Sequence, residues 1–330
     1  MRIATFQRAG LATVAAVALA SAGLFTAGSA GAAAPDTATF AAHHMTTHAG
    51  TATTSGNPLA YGGGNVVTSP TVYIVYWGSQ WGSGSITNDP AGEAPLQLSF
   101  FQHAYGSGDT WSNSQTQYCQ GVATGTTDCG TAGTHVGHPA ANPVAGTWLD
   151  SGVKAPGKPG SAAIAAEAQR AAAHFGVSGD NVQIIVDAPH GVVPQGFKTS
   201  YCAWHDHTTV NGADLPYTNM PYVADAGSGC GANFVATGSS GVNGASEGVT
   251  IVGGHEYAET LTDPAPSSGW TDSSGSETGD KCAWVSSGQG ASSIISLNGT
   301  NYAVQSLWSN NFNNNAGGCV TSYTSASNQS

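Results

Sequence analysis

The chain is expected to fold as an α/β or α+β protein, a mixed sheet with flanking helices, loop-rich and disulfide-stapled. Three observations carry that expectation. The runs Thr71-Val72-Tyr73-Ile74-Val75-Tyr76-Trp77 and Val182-Gln183-Ile184-Ile185-Val186 are β-branched, aromatic and nearly continuous in apolar residues, which is the pattern of strands buried on both faces. An Ala-rich helix precedes the second run, and a helix followed by a strand after an earlier strand implies a crossover with parallel pairing. Six cysteines, an even number, all lie beyond residue 118 and read as three disulfides of an oxidising compartment.

Taken in order, residues 1–34 have a basic start (Arg2, Arg8), a largely apolar stretch from Ala9 to Leu24, and Ala32-Ala33-Ala34 before Pro35. These are the three parts of a secretory signal peptide. Residues 35–64 are Ala, Thr, Ser and Gly with His43, His44 and His48 and no apolar periodicity, and are expected to be a flexible arm or propeptide with solvated histidines. A single secreted domain is expected over 65–322, opening at Asn65-Val66-Val67. A helix is expected around Pro95 to Tyr105, then a loop-heavy stretch over 106–160 with a short strand at Thr147-Trp148-Leu149. Ser161 is read as the cap of a helix over Ala162–Phe175, closed by Gly176. Another helix is expected from Ser246 or Glu247 to Thr262, ended by Asp263-Pro264 because the residue before Pro disfavours the α region. Gly253 and Gly254 lie inside it, each costing about 1 kcal/mol relative to Ala, so close packing against a neighbour is expected there. Asn298-Gly299 marks a hairpin, and residues 323–330 form a polar tail. No internal repeat is present.

Composition narrows the partners. Charged residues make up 8% of the chain, and without Arg2 and Arg8 the balance is 5 Lys+Arg against 19 Asp+Glu, or −14. Nucleic acid and anionic membranes are excluded on that charge. No segment after the leader approaches the roughly 18 apolar residues of a membrane span. The expected product is an extracellular monomer whose partner is a polypeptide or a cell-wall polymer. Because no C-x-x-C occurs, a thiolate zinc site is not expected. Sequence alone leaves the pairing of cysteines open; neighbours are expected to join, Cys119–Cys129, Cys202–Cys230 and Cys282–Cys319, because short loops close most easily.

The segment Gly253-Gly254-His255-Glu256-Tyr257-Ala258-Glu259 carries the candidate chemistry. On a helix His255 and Glu259 project from one face, with Glu256 beside them where the base of an H-E-x-x-H zinc site would stand. The second ligand is Glu instead of His, so the string is less specific. A catalytic zinc takes three protein ligands, and Glu277 or Asp280, returned by the following loop, is the expected third. Glu256 is then the general base. Ile251 lies one turn earlier, so this stripe is expected to begin against the core and emerge as a cleft wall. Two other readings stand beside this one. Glu256 and Glu259 can be ordinary solvated helix residues with His255 hydrogen-bonded and half-buried, or Asp272, Glu277 and Asp280 can supply oxygens to a structural calcium. His205 and His207, near Cys202, share one face of a strand and are candidate additions to the metal site; a loop held by its disulfide is the alternative. No G-x-S-x-G occurs, so serine catalysis is not expected.

The order of these features resembles the secreted phosphate-induced (EXORDIUM-like) proteins of plants and their bacterial relatives. The resemblance lies in the strand at Val72–Gly78, the strand at Val182–Val186, the Gly-Phe-x-x-x-Tyr-Cys segment at Gly196 to Cys202, and the Thr262-Asp263-Pro264 ending followed by Gly269-Trp270 and Glu277 to Cys282. It is similar to the bacterial relatives in keeping the His-Glu pair, here His255-Glu256. The resemblance implies an extracellular, wall-associated role and no particular reaction. The expected function is a secreted metal-dependent hydrolase, a zinc metallopeptidase built on the His255-Glu256-x-x-Glu259 helix. The rival is a non-catalytic glycan- or cell-wall-binding protein with a structural metal, using Trp77, Trp81, Trp204, Trp270, Trp284 and Trp308 as stacking surfaces.

Overall fold

A computed structural model describes residues 44–47, 56–106, 108–236 and 240–330. The expected signal peptide, His43 and His48 lie outside the described residues. In chain order the first elements are β1 (His44–Thr46), β2 (Ala60–Tyr61), β3 (Thr71–Trp77), α1 (Glu93–His103), β4 (Cys119–Gln120), β5 (Thr134–His135), β6 (Val144–Asp150) and α2 (Ser161–Phe175). They are followed by β7 (Val182–Asp187), β8 (Tyr201–Val210), β9 (Ala213–Met220), α3 (Gly248–Thr262), β10 (Trp270–Thr271), β11 (Ser293–Leu297), β12 (Thr300–Val304), β13 (Leu307–Ser309), β14 (Gly318–Val320), β15 (Tyr323–Ser325) and β16 (Asn328–Gln329).

The main sheet is mixed, in the order β1-β8-β9-β7-β3-β6. Strands β9, β7, β3 and β6 run parallel, while β8 returns antiparallel to β9 and β1 lies antiparallel on β8. Alternation along β3 sorts the helices. Tyr76 donates a hydrogen bond to the Ala94 carbonyl of α1, whereas Tyr73, one pleat away on the other face, packs on Phe175 of α2. Helix α3 packs with α1, β8, β9 and β1, so α1 and α3 share one face and α2 covers the other. The expected mixed α/β architecture is therefore the observed one. All three cystines join sequence neighbours, Cys119–Cys129, Cys202–Cys230 and Cys282–Cys319, with Cα separations of 6.1, 5.5 and 5.6 Å.

Several boundaries shift. Helix α1 starts two residues before Pro95 because the Asp89 carboxylate accepts from the N–H groups of Glu93 and Ala94, and a Pro in the first turn leaves no intrahelical bond unmade. Gly160, not Ser161, occupies the cap position of α2, and Gly176 closes it in the left-handed region at φ 71°. Asn298 and Gly299 both have positive φ and join β11 to β12, as the Asn-Gly pair requires.

The arm expected over 35–64 enters the fold at two places. Strand β1 pairs with β8, and Leu59 is fully buried, its backbone held at both ends by the Asn310 amide. Strand β2 then pairs with β10. These segments have no periodicity to reveal them, since two or three residues in an edge ladder need none. The expected tail likewise forms β15 and β16, with the Tyr323 N–H bonded to the Thr110 carbonyl. The six tryptophans proposed as stacking surfaces are all buried, between 0% and 5% exposed, because their area serves the core. Glycan stacking on them is thereby removed.

Gly254 is one of the two glycines inside α3, and a Cβ there would stand 2.9 Å from Trp111 and 3.2 Å from Phe100. At Gly253 the nearest atom is an ordinary 3.4 Å away, so only Gly254 is demanded by close approach. Gly254→Ala is expected to destabilise the fold by about 1–3 kcal/mol through overpacking, and Gly253→Ala by less, as read from denaturant unfolding.

Candidate metal centre

All 15 residues of α3 are buried, so no stripe emerges as a cleft wall. The sheet edge with β1 lies against one side, α1 and β12 against others. The segment after β10 also returns to it, where the backbone N–H of Asp280 donates to Glu259 Oε1 at 2.8 Å. His255, Glu256 and Glu259 are each 0% exposed, which excludes the reading of solvated helix carboxylates.

Two imidazoles flank Glu259. His255 Nε2 lies 3.1 Å from Glu259 Oε1 and 3.7 Å from Asp280 Oδ1. His205, from β8, lies 3.6 Å from the other Glu259 oxygen and 3.3 Å from Glu256 Oε2 through Nδ1, while its Nε2 is 3.6 Å from Glu277 Oε1. Of the expected ligands, His255, Glu259 and Asp280 come together; Glu277 is also at the centre but faces His205. His205 joins the cluster and His207 does not. Both belong to the same face of β8, yet burial along the strand ends at His205, and the His207 side chain is 39% exposed beside Asp206. Asp272 is engaged elsewhere: its carboxylate meets Lys281 Nζ at 3.0 Å and accepts from the N–H groups of Ser274 and Ser276. The oxygen trio of the calcium reading is thus not assembled around one point.

Gln305, which no local sequence pattern marked, sets the chemistry of His255. Its amide NH₂ donates to the carbonyls of Gly279 and Ser306, so its Oε1 is turned to His255 Nδ1 at 3.1 Å. An Nδ1–H donated to that oxygen leaves the Nε2 lone pair of the neutral ring to face Glu259 and Asp280. The lone pair points into carboxylate oxygens, an arrangement that repels unless a cation or a proton sits between them. Ligands about 2.1 Å from a tetrahedral zinc are about 3.4 Å from one another, and the observed 3.1 and 3.7 Å bracket that edge. Among the described residues two sets of three groups lie close enough to share one divalent ion, His205 with Glu256 and Glu259, and His255 with Glu259 and Asp280, each an imidazole and two carboxylates. Gly279 makes the closeness possible: a Cβ on it would stand 2.7 Å from His255 Nδ1 and 2.9 Å from Glu259 Oε1.

Without a metal, protons must balance the charge. Burial alone would lower the His255 pKa, but the facing Glu259 carboxylate overcomes it and pushes the imidazole up to about 10. Burial raises Glu277 and Asp280 far above the ordinary carboxyl range, with Glu259 the next cause for both. Burial would also raise Glu259, yet the charge of His255 holds it below its usual value. Asp263, the residue after α3, is pushed up to about 6 by burial despite accepting from the Gly269 N–H at 2.7 Å. Sequence marked Asp263 only as a helix stop. The Asp280 side chain, 21% exposed, is the member of the cluster that reaches the surface.

No protein-family model, curated protein or solved structure matches the chain.

Two outcomes follow from this geometry. A group with a raised folded pKa stabilises below its unfolded pKa and loses that contribution as pH rises through the folded value. For His255 the window therefore runs from about 6.5 to about 10. In chelator, thermal stability is expected to fall across that window, and zinc is expected to restore it by replacing the proton. Gln305→Ala is expected to weaken zinc binding by about 10–100-fold, measured by competition with a chromophoric chelator, since it frees the imidazole to turn.

Proposed function

We propose that this protein is a metal-dependent hydrolase, a zinc peptidase whose ion is held by His255, Glu259 and Asp280. The observation that carries the reading is the buried Nε2 of His255, its ring held by Gln305 and aimed at two carboxylate oxygens. Glu256 lies in the same cluster but on the His205 side, 3.3 Å from that imidazole, and is thus left for proton transfer. A zinc ion held here would supply Lewis acidity toward a carbonyl and toward water. Glu256 takes the proton of the attacking water and returns it to the leaving amine. His205 Nδ1 orients the Glu256 carboxylate; Gln305 and Gly279 hold His255 in line. Burial around the cluster excludes bulk water and strengthens each charge interaction.

Three disulfides mark an oxidising compartment, and no helix among the described residues is long and apolar enough to cross a membrane. Secretion through the leader at 1–34, an extracellular polypeptide as substrate, and kinship with the bacterial relatives of the EXORDIUM-like proteins belong to the same proposal. Burial of the tryptophans weighs against the glycan-binding rival.

Glu256→Gln is expected to lower peptide or casein hydrolysis by at least about 100-fold while zinc still binds stoichiometrically by metal analysis. If Glu256→Gln left turnover intact, or if the parent chain bound no divalent ion, the reading would be wrong.

A further inference from the structure

We propose that the edge of β8 at Tyr201–Trp204 is a docking site for an extended polypeptide, and that β1 of this chain occupies it. The inference rests on the hydrolase reading for its consequence, which is that the polypeptide is the substrate. Its geometry stands independently.

Strand β1 is three residues long, the shortest and outermost strand of its sheet. Beyond its ladder with β8, two side chains hydrogen-bond its backbone. Glu256 Oε1 accepts from the Met45 N–H at 3.2 Å, and Trp284 Nε1 donates to the Thr46 carbonyl at 2.8 Å. Any extended chain laid on this edge would satisfy both, the hallmark of recognition by strand addition. Trp284 holds its indole there from a left-handed backbone at φ 58°, a conformation a bulky side chain rarely adopts and one that concentrates at ligand clamps. The Met45 side chain of β1 enters the core, 0% exposed, so the edge has an apolar seat.

The Met45 contact also fixes register. The amide nitrogen presented to Glu256 is within proton-transfer reach of the proposed base. In a substrate lying as β1 does, that nitrogen is the leaving amine: the water oxygen bonds to the preceding carbonyl carbon, the C–N bond breaks, and Glu256 carries the proton from water to nitrogen. The residue in the apolar seat therefore lies on the amine side of the bond cut, and unbranched or flexible apolar side chains such as Met or Leu fit it. While β1 lies on this edge, no other polypeptide can.

The test uses the full chain carrying Met45→Pro, which removes the N–H, or Met45→Asp, which keeps it but charges the seat. Cooperative thermal unfolding from a state with the parent's far-ultraviolet circular dichroism establishes that both fold. A fluorescent peptide with the sequence of residues 42–47 is expected to bind either variant at least about tenfold more tightly than the parent, where β1 competes at an effective concentration on the order of mM. The same peptide with Met45→Asp is expected not to bind. Equal binding to parent and variants, or indifference to the Asp exchange, overturns the proposal. With zinc added, the variants are expected to cut peptides before Met or Leu at least about tenfold faster than the parent; cutting without that side-chain preference also overturns it. Binding as expected with no cutting by any chain supports the docking edge and defeats the hydrolase reading instead.

Discussion

Glu259 is the residue around which the interior of this protein is arranged. Its two oxygens face two imidazoles, His255 on its own helix and His205 from the sheet, and it accepts the Asp280 N–H from the segment after β10. A carboxylate taken wholly out of water is unfavourable unless each oxygen finds positive charge or a donor. Helix, sheet edge and loop must therefore all reach the same point, and the requirement links three elements far apart in sequence. The close approach is steric as well as electrical, since Gly254 lets α3 sink against Trp111 and Phe100 while Gly279 lets the loop backbone pass over His255.

Carboxylates outnumber imidazoles around Glu259, which sets the cluster apart from an ordinary buried ion pair. Glu256, Glu277 and Asp280 crowd the same two imidazoles, and the nearby Lys281 is turned away to Asp272 and stacked on Trp308 at 4.1 Å. Lys281 thereby ties the loop to Asp272 and Trp308. Protons can fill the deficit only by raising the titration of His255, Glu277 and Asp280 together, and a divalent ion does so with fewer particles and better directionality. Glu256, within the same crowd of carboxylates, also accepts from the backbone N–H of Met45 in β1.

The parts that the sequence disclosed are those governed by local rules. Buried parallel strands show as apolar runs, so β3 and β7 are legible. The Ala-rich α2, the Asn-Gly hairpin and the helix stop at Asp263-Pro264 carry their own boundary chemistry, and His255 with Glu259 is legible because helical geometry alone puts i and i+4 together. Even the cystine pairing followed from loop closure between neighbours. Strands as short as β1 and β2 left no trace, because a ladder of two or three residues is specified by its partner and not by its own pattern.

What the sequence by itself determined, then, is a secondary-structure plan and one helical face bearing an imidazole and a carboxylate. Tertiary structure decided which distant groups complete that face. It chose His205 over His207 by where burial along β8 ends, sent Asp272 to Lys281, turned the six tryptophans inward, and set Gln305 behind His255. The reason is that hydrogen bonding and desolvation act between atoms a few ångströms apart in space, and residues 50 or 211 positions apart, as Gln305 is from His255 and Met45 from Glu256, meet only once the chain has packed.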